Sequence, residues 1–550
     1  MDGGRTGEVI RRSANYHPSV WGDFFIVSAL GRMEPNPKVE TRVRVLKSEV
    51  QMMLRKAASK PVEEMILIDT LQRLGVAYHF ENEIKEALQS IYAKHVNYNI
   101  NNGSFDDLYT VALCFRLLRQ QGHHISSDVF KKFKDEKGEF KTMLTNDARA
   151  LLCFYEALHL RVKGEDILEE ALTFLIKHLK SMLPYLSAPL AEQVKNSLER
   201  PLYKGMPRLE ARRYISVYEA DGAGHASLLE LAKLDFNLLQ TLHQREISDI
   251  SRWWKEINLA SKLPFARDRL VECYFWILGV YFEPNYSVGR EFVTKIIALT
   301  SVIDDIYDVY GTLEELKLFT DAIERWEAIT IDLPEYMQVC FLALSNVVKE
   351  MEEKMVNEGR SYRIHYAKEA MKGIIRSYFT EANWYYKGYM PTFEEYLSVS
   401  VMSSGYPMLA VQSLIGMGEV ATKEAFDWVI TVPKIVRSSG LIARLVDDIQ
   451  THKVEQERGD APSSVQCYMR EHGVSEKEAC EKIKEMVGSA WKDINEELQK
   501  PDGPSLPLLL PTLNLARMME VIYHQGDGYS NSSGRTKDII ASLLVDPISI

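Results

Sequence analysis

The sequence has few of the features that mark secreted, membrane-spanning or nucleic-acid-binding proteins. Only six of its 550 residues are cysteine, and no two of them form a CxxC pair, so we expect free thiols in a reducing compartment. The longest apolar run, 273–282, is about half the length of a membrane span. The formal net charge of −11 leaves no basic excess for nucleic acid or an anionic membrane.

The first ten residues also lack a targeting signal. The stretch MDGGRTGEVI carries Asp2 and Glu8, has no apolar segment, and lacks the acid-poor, Ser/Arg-rich character of a transit peptide. We therefore expect a cytoplasmic protein, acting as a monomer, with no nucleic-acid partner and no membrane span.

Helical periodicity dominates the rest of the chain. Apolar residues make up 46% of it, and they recur at threes and fours in segments such as 64–74, 83–92, 108–121 and 146–160. Strand patterns are scarce, so we predict an all-α protein of two or three domains. The Gly-rich stretch 219–225 is the best linker candidate, with Ser227 as a cap for the next helix. This predicts domains at 1–220 and 227–550.

Two acidic clusters about 140 residues apart carry the clearest chemical signal. Residues four apart lie on one helix face, so Asp304 and Asp308 share a face, as do Asp447, Thr451 and Glu455. Both clusters precede a glycine, Gly311 or Gly459, that is expected to end its helix, where the helix dipole adds negative potential. Oxygen ligands without Cys or His favour a hard divalent ion such as Mg²⁺. The coordination shell of such an ion is usually completed by water and substrate phosphates.

A solvated helix end is the simpler interpretation of an acidic run, because Asp and Glu supply 77 of the 550 residues. The second cluster weakens this interpretation, since a hydroxyl in register between two carboxylates is a rarer coincidence.

Three other segments depart from the helical pattern. In Ser403-Ser404-Gly405-Tyr406-Pro407 the glycine and proline predict a helix break that frees backbone carbonyls. The proline-rich stretch 501–511 predicts a loop or a kinked helix entry, and 527–534 predicts a polar, flexible segment.

Taken in order, several motifs resemble the plant class I terpene synthases over nearly the whole chain. They are Arg11-Arg12 followed by Trp21, Pro207–Arg212, Trp253-Trp254, Arg267-Asp268-Arg269, Tyr281–Pro284, the two acidic clusters, and Tyr523 to Tyr529. A chain of this length without a plastid presequence is similar to the cytosolic sesquiterpene synthases, which act on farnesyl diphosphate. The resemblance implies an N-terminal helical barrel without chemistry of its own and a C-terminal class I terpenoid synthase helical bundle that holds the site.

The resemblance also implies roles for individual residues. Three Mg²⁺ ions, with Mn²⁺ as a possible substitute, are expected on Asp304 and Asp308 and on Asp447, Thr451 and Glu455, with Asp305 supporting the first pair through hydrogen bonds. Arg267 and Arg269 are expected to close over the diphosphate, and Arg444 lies one turn before Asp447. Residues expected to line the pocket or steer a carbocation are Trp276, Ser403, Ser404, Gly405, Tyr406, Tyr523, Asp527 and Tyr529. A core position is the alternative for Trp276, and a solvated helix start for Arg267-Asp268-Arg269.

The N-terminal segment with Arg11, Arg12 and Trp21 is expected, again by resemblance, to cap the C-terminal domain. Class II cyclases begin by protonation and use Asp-x-Asp-Asp, whereas this chain has Ser104-Phe105-Asp106-Asp107, so that chemistry is not expected. Asp106 and Asp107 are predicted to cap the helix that begins near Leu108. Three alternatives stay open: a monoterpene or acyclic terpene synthase, a prenyltransferase, and a non-enzymatic helical scaffold whose acidic faces bind a basic partner.

Overall fold

The computed structural model of the protein describes residues 11–28, 37–97, 105–222, 224–326 and 333–550. The predictions made for residues 1–10, and those that involve Ser104 and Ala223, lie outside these ranges. Within them the regular elements are helices, and the only β-type pairing is an isolated antiparallel bridge between Lys134 and Phe140. The all-α prediction is confirmed.

Within the described residues, the N-terminal half has nine α-helices. They are α1 Phe24–Ser28, α2 Pro37–Ala57, α3 Pro61–Arg73, α4 Glu81–Asn97, α5 Leu108–Gln120, α6 Ala148–Leu158, α7 Asp166–Met182, α8 Ala188–Glu199 and α9 Pro207–Asp221. The predicted segments correspond to α3, α4, α5 and α6. Asp107 caps α5 by accepting a hydrogen bond from the Thr110 amide at 2.8 Å, and α5 packs between α3 and α6.

The junction between the halves is close to the predicted linker. Helix α9 ends before Gly222, which takes a left-handed φ of 64°. The next helix, α10, runs Ala226–Ile257 with His225 at its N-cap, so the prediction that Ser227 caps it is wrong. This helix of 32 residues packs against both α2 and α12 and so connects the two halves. The division at 220 and 227 stays a prediction.

The C-terminal half continues from α10, and its described ranges form fourteen further helices. They are α11 Leu259–Lys262, α12 Leu270–Val280, α13 Ser287–Asp305, α14 Leu313–Arg325, α15 Glu335–Asn357, α16 Arg363–Lys387, α17 Phe393–Ser403, α18 Tyr406–Ile415, α19 Lys423–Val429, α20 Lys434–Arg458, α21 Ser464–His472, α22 Glu476–Leu498, α23 Leu506–Ile522 and α24 Arg535–Leu544. The stretch 501–505 is a loop, and Pro511 lies inside α23.

Shorter helical segments join these elements. One is a π-helical turn at Ile306–Tyr310. The others in the described part of the chain are 3₁₀ segments at Ala77–His79, Ser127–Phe133, Thr142–Asn146, Leu183–Tyr185, Leu202–Lys204, Pro284–Tyr286 and Gly418–Val420.

The centre of the C-terminal half is built on α12, α13 and α20. Every residue of α12 is buried, which explains why its sequence is apolar without a helical period. Helix α12 packs against α13 and α23, and α20 packs against α17, α18, α22 and α23. None of the described helices is both long enough and apolar enough to cross a membrane.

Candidate active site

A cavity of about 870 Å³ opens at the centre of the C-terminal helices. Both acidic clusters face it, although they are distant in sequence. Of the predicted site residues, those that line it are Arg267, Trp276, Asp304, Asp308, Ser403, Ser404, Gly405, Tyr406, Arg444, Asp447, Thr451, Glu455, Tyr523, Asp527 and Tyr529. The two predicted residues outside the lining are Arg269 and Asp305.

The first acidic wall departs from the regular helix that its spacing predicts. Helix α13 ends at Asp305 and continues as the π turn, in which the Gly311 amide donates to the Ile306 carbonyl at 2.8 Å. Such turns are rare in proteins overall, but many of those that occur lie at functional sites. Asp304 and Asp308 both reach the cavity across this change of helix type. Enclosure by protein, and then the neighbouring carboxylates of Asp304 and Glu381, raise the pKa of Asp308 well above its usual range.

The second acidic wall is a regular helical face. Helix α20 continues to Arg458 and ends at Gly459, whose φ is 73°, as predicted from the sequence. The Thr451 hydroxyl donates to the Asp447 carbonyl at 3.0 Å. Burial raises the pKa of Asp447 well above its usual range and that of Glu455 to about 7, with the charge of Asp448 adding to the shift of Glu455. Ionising these carboxyls together crowds negative charge on one face, and a bound cation would offset that charge.

Arg267 ties the first wall to the start of α12. Its Nη2 donates to Asp304 Oδ2 at 2.5 Å, and its backbone amide donates to Asp305 Oδ2 at 2.7 Å. Asp305 is fully buried, and a second contact joins its Oδ1 to Arg267 Nη2 at 3.0 Å. Asp305 therefore anchors Arg267 from behind and does not face the cavity, which fits a supporting role and not direct contact with a metal.

Arg269 is placed differently from the expectation that it binds diphosphate. It is 2% exposed, and its guanidinium donates to the backbone carbonyls of Tyr529 at 3.0 Å, Ser530 at 2.5 Å and His17 at 2.7 Å. Because these carbonyls occupy the guanidinium, Arg269 joins the N-terminal segment to the loop after α23 in this conformation. The spacing of two arginines around an aspartate could not distinguish this role from phosphate binding.

Arg444 lies between the second wall and the helix break. Its Nη1 is 3.5 Å from Asp447 Oδ2, and its Nη2 donates to Ser403 Oγ at 3.3 Å. The predicted break separates α17 from α18 at Gly405, which has a left-handed φ of 79°. Pro407 follows Ser403 by four residues and has no amide hydrogen to donate to the Ser403 carbonyl. The cavity therefore has a polar rim here.

Another part of the cavity wall is aromatic. The Trp276 ring lies edge-on to Tyr529, Tyr523 and Tyr406, with centroids 5.6, 6.3 and 6.4 Å apart. Two of these tyrosines have their hydroxyls bonded to the surrounding protein: Tyr529 donates to Ser301 Oγ at 2.7 Å and Tyr406 to the Leu515 carbonyl at 2.8 Å. Since Trp276 lines the cavity and is 7% exposed, it is both a core residue and a cavity wall.

Part of the predicted flexible stretch 527–534 is held against this aromatic wall. The Asp527 carboxylate accepts from the amides of Tyr529 at 2.9 Å and Ser530 at 2.8 Å. These bonds fix the turn that presents Tyr529 to the cavity.

The N-terminal segment lies at the mouth of the cavity. Arg11 donates to both carboxylate oxygens of Glu315 at 2.8 Å and stacks on Tyr310, with Cζ 4.5 Å from the ring centroid. Arg12 pairs with Asp460 and donates to the Asp308 carbonyl at 3.1 Å. Trp21 is buried and packs on Phe25. The segment thus spans from the first acidic wall to the end of α20.

Comparison with known proteins decides the family. Residues 20–198 match the family model described as "Terpene synthase, N-terminal domain", and residues 255–493 match "Terpene synthase family, metal binding domain". Together these cover more than half of the chain. The chain belongs to the terpene synthase family. Both acidic clusters of this terpene synthase fall within the matched metal-binding domain.

Individual relatives agree with this assignment over nearly their full length. The chain is 54% identical to (-)-germacrene D synthase of Vitis vinifera, covering 99% of this chain and 97% of that one. It is 52% identical to "Sesquiterpene synthase 2" of Toona sinensis, covering 99% and 98%. A solved structure of isoprene synthase from grey poplar, with three Mg²⁺ ions and dimethylallyl-S-thiolodiphosphate, matches with a TM-score of 0.86 at 36% identity, covering 96% and 99%.

The donor set of this terpene synthase fits a hard divalent ion. The first wall offers two carboxylates, and the second offers two carboxylates with a hydroxyl between them. Mg²⁺ accepts oxygen ligands of these kinds. Across the described part of the chain, no group of three or more His, Cys, Asp or Glu side chains is arranged to hold an ion. In this conformation guanidinium groups lie beside the carboxylates, with Arg267 on Asp304 and Arg444 near Asp447.

Sequence reasoning missed several residues of the cavity. Glu381 lines the cavity beside the first acidic wall, accepts from Ser403 Oγ at 2.6 Å, and has a pKa raised by burial to about 7. The sequence could have indicated Glu381, because Tyr378, Glu381 and Tyr385 recur at helical spacing along one face of α16. Tyr16, whose ring centroid is 5.0 Å from Arg267 Cζ, and Asp460 come from irregular segments and have no such signal.

Proposed function

We propose that this terpene synthase is a sesquiterpene synthase that ionises farnesyl diphosphate and forms a sesquiterpene hydrocarbon or alcohol. The observation that carries the proposal is one cavity lined both by oxygen-bearing walls and by aromatic rings. The oxygen-bearing walls suit a metal-bound diphosphate, and the aromatic rings suit a hydrocarbon cation. The relative from Toona sinensis whose name includes "Sesquiterpene synthase" supports the choice of substrate.

The acidic walls are the proposed metal ligands. Asp304 and Asp308 would hold two ions, and Asp447, Thr451 and Glu455 a third; the isoprene synthase structure with three Mg²⁺ ions supports this number. Bound Mg²⁺ supplies Lewis-acid stabilisation of the negative charge that develops on the leaving diphosphate. Mn²⁺, which also accepts oxygen ligands, is the proposed substitute.

The arginines at the rim are the proposed diphosphate ligands. Arg267 and Arg444 both line the cavity, and a guanidinium forms paired hydrogen bonds to phosphate oxygens. Arg267 can exchange its bond to Asp304 for one to diphosphate while Asp305 continues to hold it. The C–O bond of the substrate breaks with its electron pair remaining on diphosphate, so these donors face the charge as it forms.

The aromatic wall is the proposed environment of the allylic cation. The faces of Trp276, Tyr406, Tyr523 and Tyr529 attract positive charge without acting as strong nucleophiles. The hydroxyl bonds of Tyr406 and Tyr529 keep those oxygens engaged with the protein. The final cation is quenched by loss of a proton or by addition of water. The N-terminal segment at the mouth of the cavity limits the access of water.

The test is incubation of the pure protein with Mg²⁺ and either farnesyl or geranyl diphosphate, with and without isopentenyl diphosphate. We expect diphosphate release and volatile C15 products from farnesyl diphosphate. Products from geranyl diphosphate alone support a monoterpene synthase, and longer prenyl diphosphates support a prenyltransferase. No diphosphate release from any substrate contradicts an enzymatic role and favours the scaffold. A cytoplasmic location and a monomeric state, also proposed, are tested by fluorescent tagging and by light scattering.

A further inference from the structure

A second cavity lies inside the N-terminal helices and shares no lining residue with the first. Its volume is about 210 Å³, and its walls come from α3, α5, α6, α8 and α9. This volume can hold several water molecules or one small polar ion. The reaction proposed above uses none of its residues.

The lining of this cavity is rich in charge and has more cations than carboxylates. Among the residues that the structure describes, five arginines border it: Arg73, Arg116, Arg149, Arg200 and Arg213. Four acidic residues from the same set border it: Asp69, Glu156, Glu210 and Asp221. Burial raises the pKa of Glu156 to about 7, so near neutral pH this carboxyl is only partly ionised and the cationic excess is larger than one.

Several guanidinium nitrogens at this cavity lack partners. Arg200 is 3% exposed, and its Nη2 donates to Glu210 Oε1 at 3.0 Å. Its Nε and Nη1 have no hydrogen-bond partner among the described residues, and the same is true of Nε in Arg116 and in Arg73. Most buried polar groups in proteins are hydrogen-bonded, so four unpartnered donor nitrogens around one small cavity indicate a missing acceptor.

The remaining bonds of these arginines hold them in place. Arg116 Nη2 donates to Asp69 Oδ1 at 2.5 Å. Arg73 Nη2 donates to Gln193 Oε1 at 2.9 Å, and its guanidinium stacks on Tyr214 with Cζ 3.8 Å from the ring centroid. The unpartnered donors therefore belong to side chains that are already oriented, which lowers the entropic cost of binding a ligand.

We propose that this cavity binds one small tetrahedral oxyanion of the phosphate class through Arg200, Arg116 and Arg73. A guanidinium only donates hydrogen bonds, so the ligand must accept, and an anion also balances the excess of positive charge. Inorganic phosphate and free diphosphate share this chemistry. Binding connects α3, α5 and the turn between α8 and α9, and therefore stabilises the N-terminal helices.

The test measures anion binding to the full-length protein in excess chelator, so that no divalent metal assists anion binding in the catalytic cavity. Phosphate and diphosphate are titrated by calorimetry in separate experiments, and thermal unfolding is compared with chloride at equal ionic strength. We expect one anion per chain and a Tm that rises with the oxyanion and not with chloride, because a ligand of the folded state stabilises it. The anion that binds more tightly identifies the source. Equal Tm values in oxyanion and chloride, with no binding heat, show that only water fills the cavity and overturn the proposal.

Matched variants locate the site. Arg200→Lys keeps the charge but loses the fork-shaped donor, and we expect its affinity for the oxyanion to fall by at least about tenfold. Arg444→Lys makes the same change in the catalytic cavity and should leave the affinity unchanged. Should Arg200→Lys fail to fold by circular dichroism, Arg73→Lys replaces it, because Arg73 is also a proposed ligand and is less buried than Arg200. Binding that survives in the folded variant, or that is lost in Arg444→Lys, places the anion elsewhere and contradicts the proposal.

Discussion

The ion pair between Arg11 and Glu315 is predicted to hold the N-terminal segment on the mouth of the cavity. Its partners are only partly exposed, at 23% and 18% of their side chains. Burial alone raises the pKa of Glu315, but the hydrogen bonds from Arg11, the Thr312 amide and Tyr336, together with the charge of Arg11, outweigh burial and lower the pKa to about 2. Glu315 is therefore ionised at neutral pH, and the pair is intact there.

The perturbation is Glu315→Gln, which leaves the N-terminal segment itself unchanged. The carboxylate accepts from Arg11 and also from Tyr336 Oη at 2.9 Å and the Thr312 amide at 3.0 Å. An amide has one acceptor oxygen, so one of these donors must lose its bond. Leaving a buried donor without its acceptor costs about 1–3 kcal/mol, which increases the undocked population about 5- to 150-fold.

The assay is limited trypsin digestion, followed by mass spectrometry for cleavage after Arg12. The cleaved sequence is the same in parent and variant, so the initial rate reports the undocked population when opening is fast relative to cleavage. The control is Glu324→Gln, which makes the same substitution in an ion pair with Arg376. Equal cleavage rates in the two variants would refute the reasoning, because they would show that the Arg11 pair does not hold the segment.

Four further predictions concern the cavity. Asp304→Ala should lose most turnover, and excess chelator should abolish diphosphate release by the parent; undiminished release in chelator contradicts the metal mechanism. Thr451→Ser should keep activity while Thr451→Val weakens apparent Mg²⁺ affinity, and identical Mg²⁺ titrations for both would show that the hydroxyl is no ligand. Because the pKa of Glu455 is raised to about 7 and a ligand must lose its proton, apparent Mg²⁺ affinity should rise between about pH 6 and about pH 8; a flat profile argues against Glu455. Trp276→Leu should change products or rate more than Trp276→Phe does, at similar Tm, since a desolvated ring attracts a cation by about 1–2 kcal/mol; equal products and rates would make Trp276 only a core residue.

Local sequence patterns predicted the helices well, because helical periodicity depends on neighbours three and four residues apart. The cap at Asp107 and the end of α20 at Gly459 both follow from such local rules. The π turn after Asp305 could not be predicted in this way. It depends on how the chain leaves α13 and packs against α16. The amino-acid sequence of the acidic cluster is equally compatible with a regular helix.

The pairing of distant residues was decided by the tertiary structure. Arg267 and Arg269 look equivalent in the sequence, yet the first faces the cavity and the second donates to the backbone carbonyls of residues 17, 529 and 530. The two side chains differ in position because Arg267 precedes α12 in an irregular stretch, whereas Arg269 is the N-cap of α12 and contacts the loop after α23. Glu381 joins the site for a similar reason, since α16 packs beside the π turn.

The sequence by itself determined the all-helical fold and the chemical character of each acidic face, because both depend on residues close together in the chain. Only the tertiary structure brought the face of α13 and the face of α20 to one cavity, set Trp276 among three tyrosines, and gathered arginines from α3, α5 and the end of α8 around a second cavity. Which side chains meet across helices depends on the packing of whole elements. The spacing of residues along a single helix does not determine that packing.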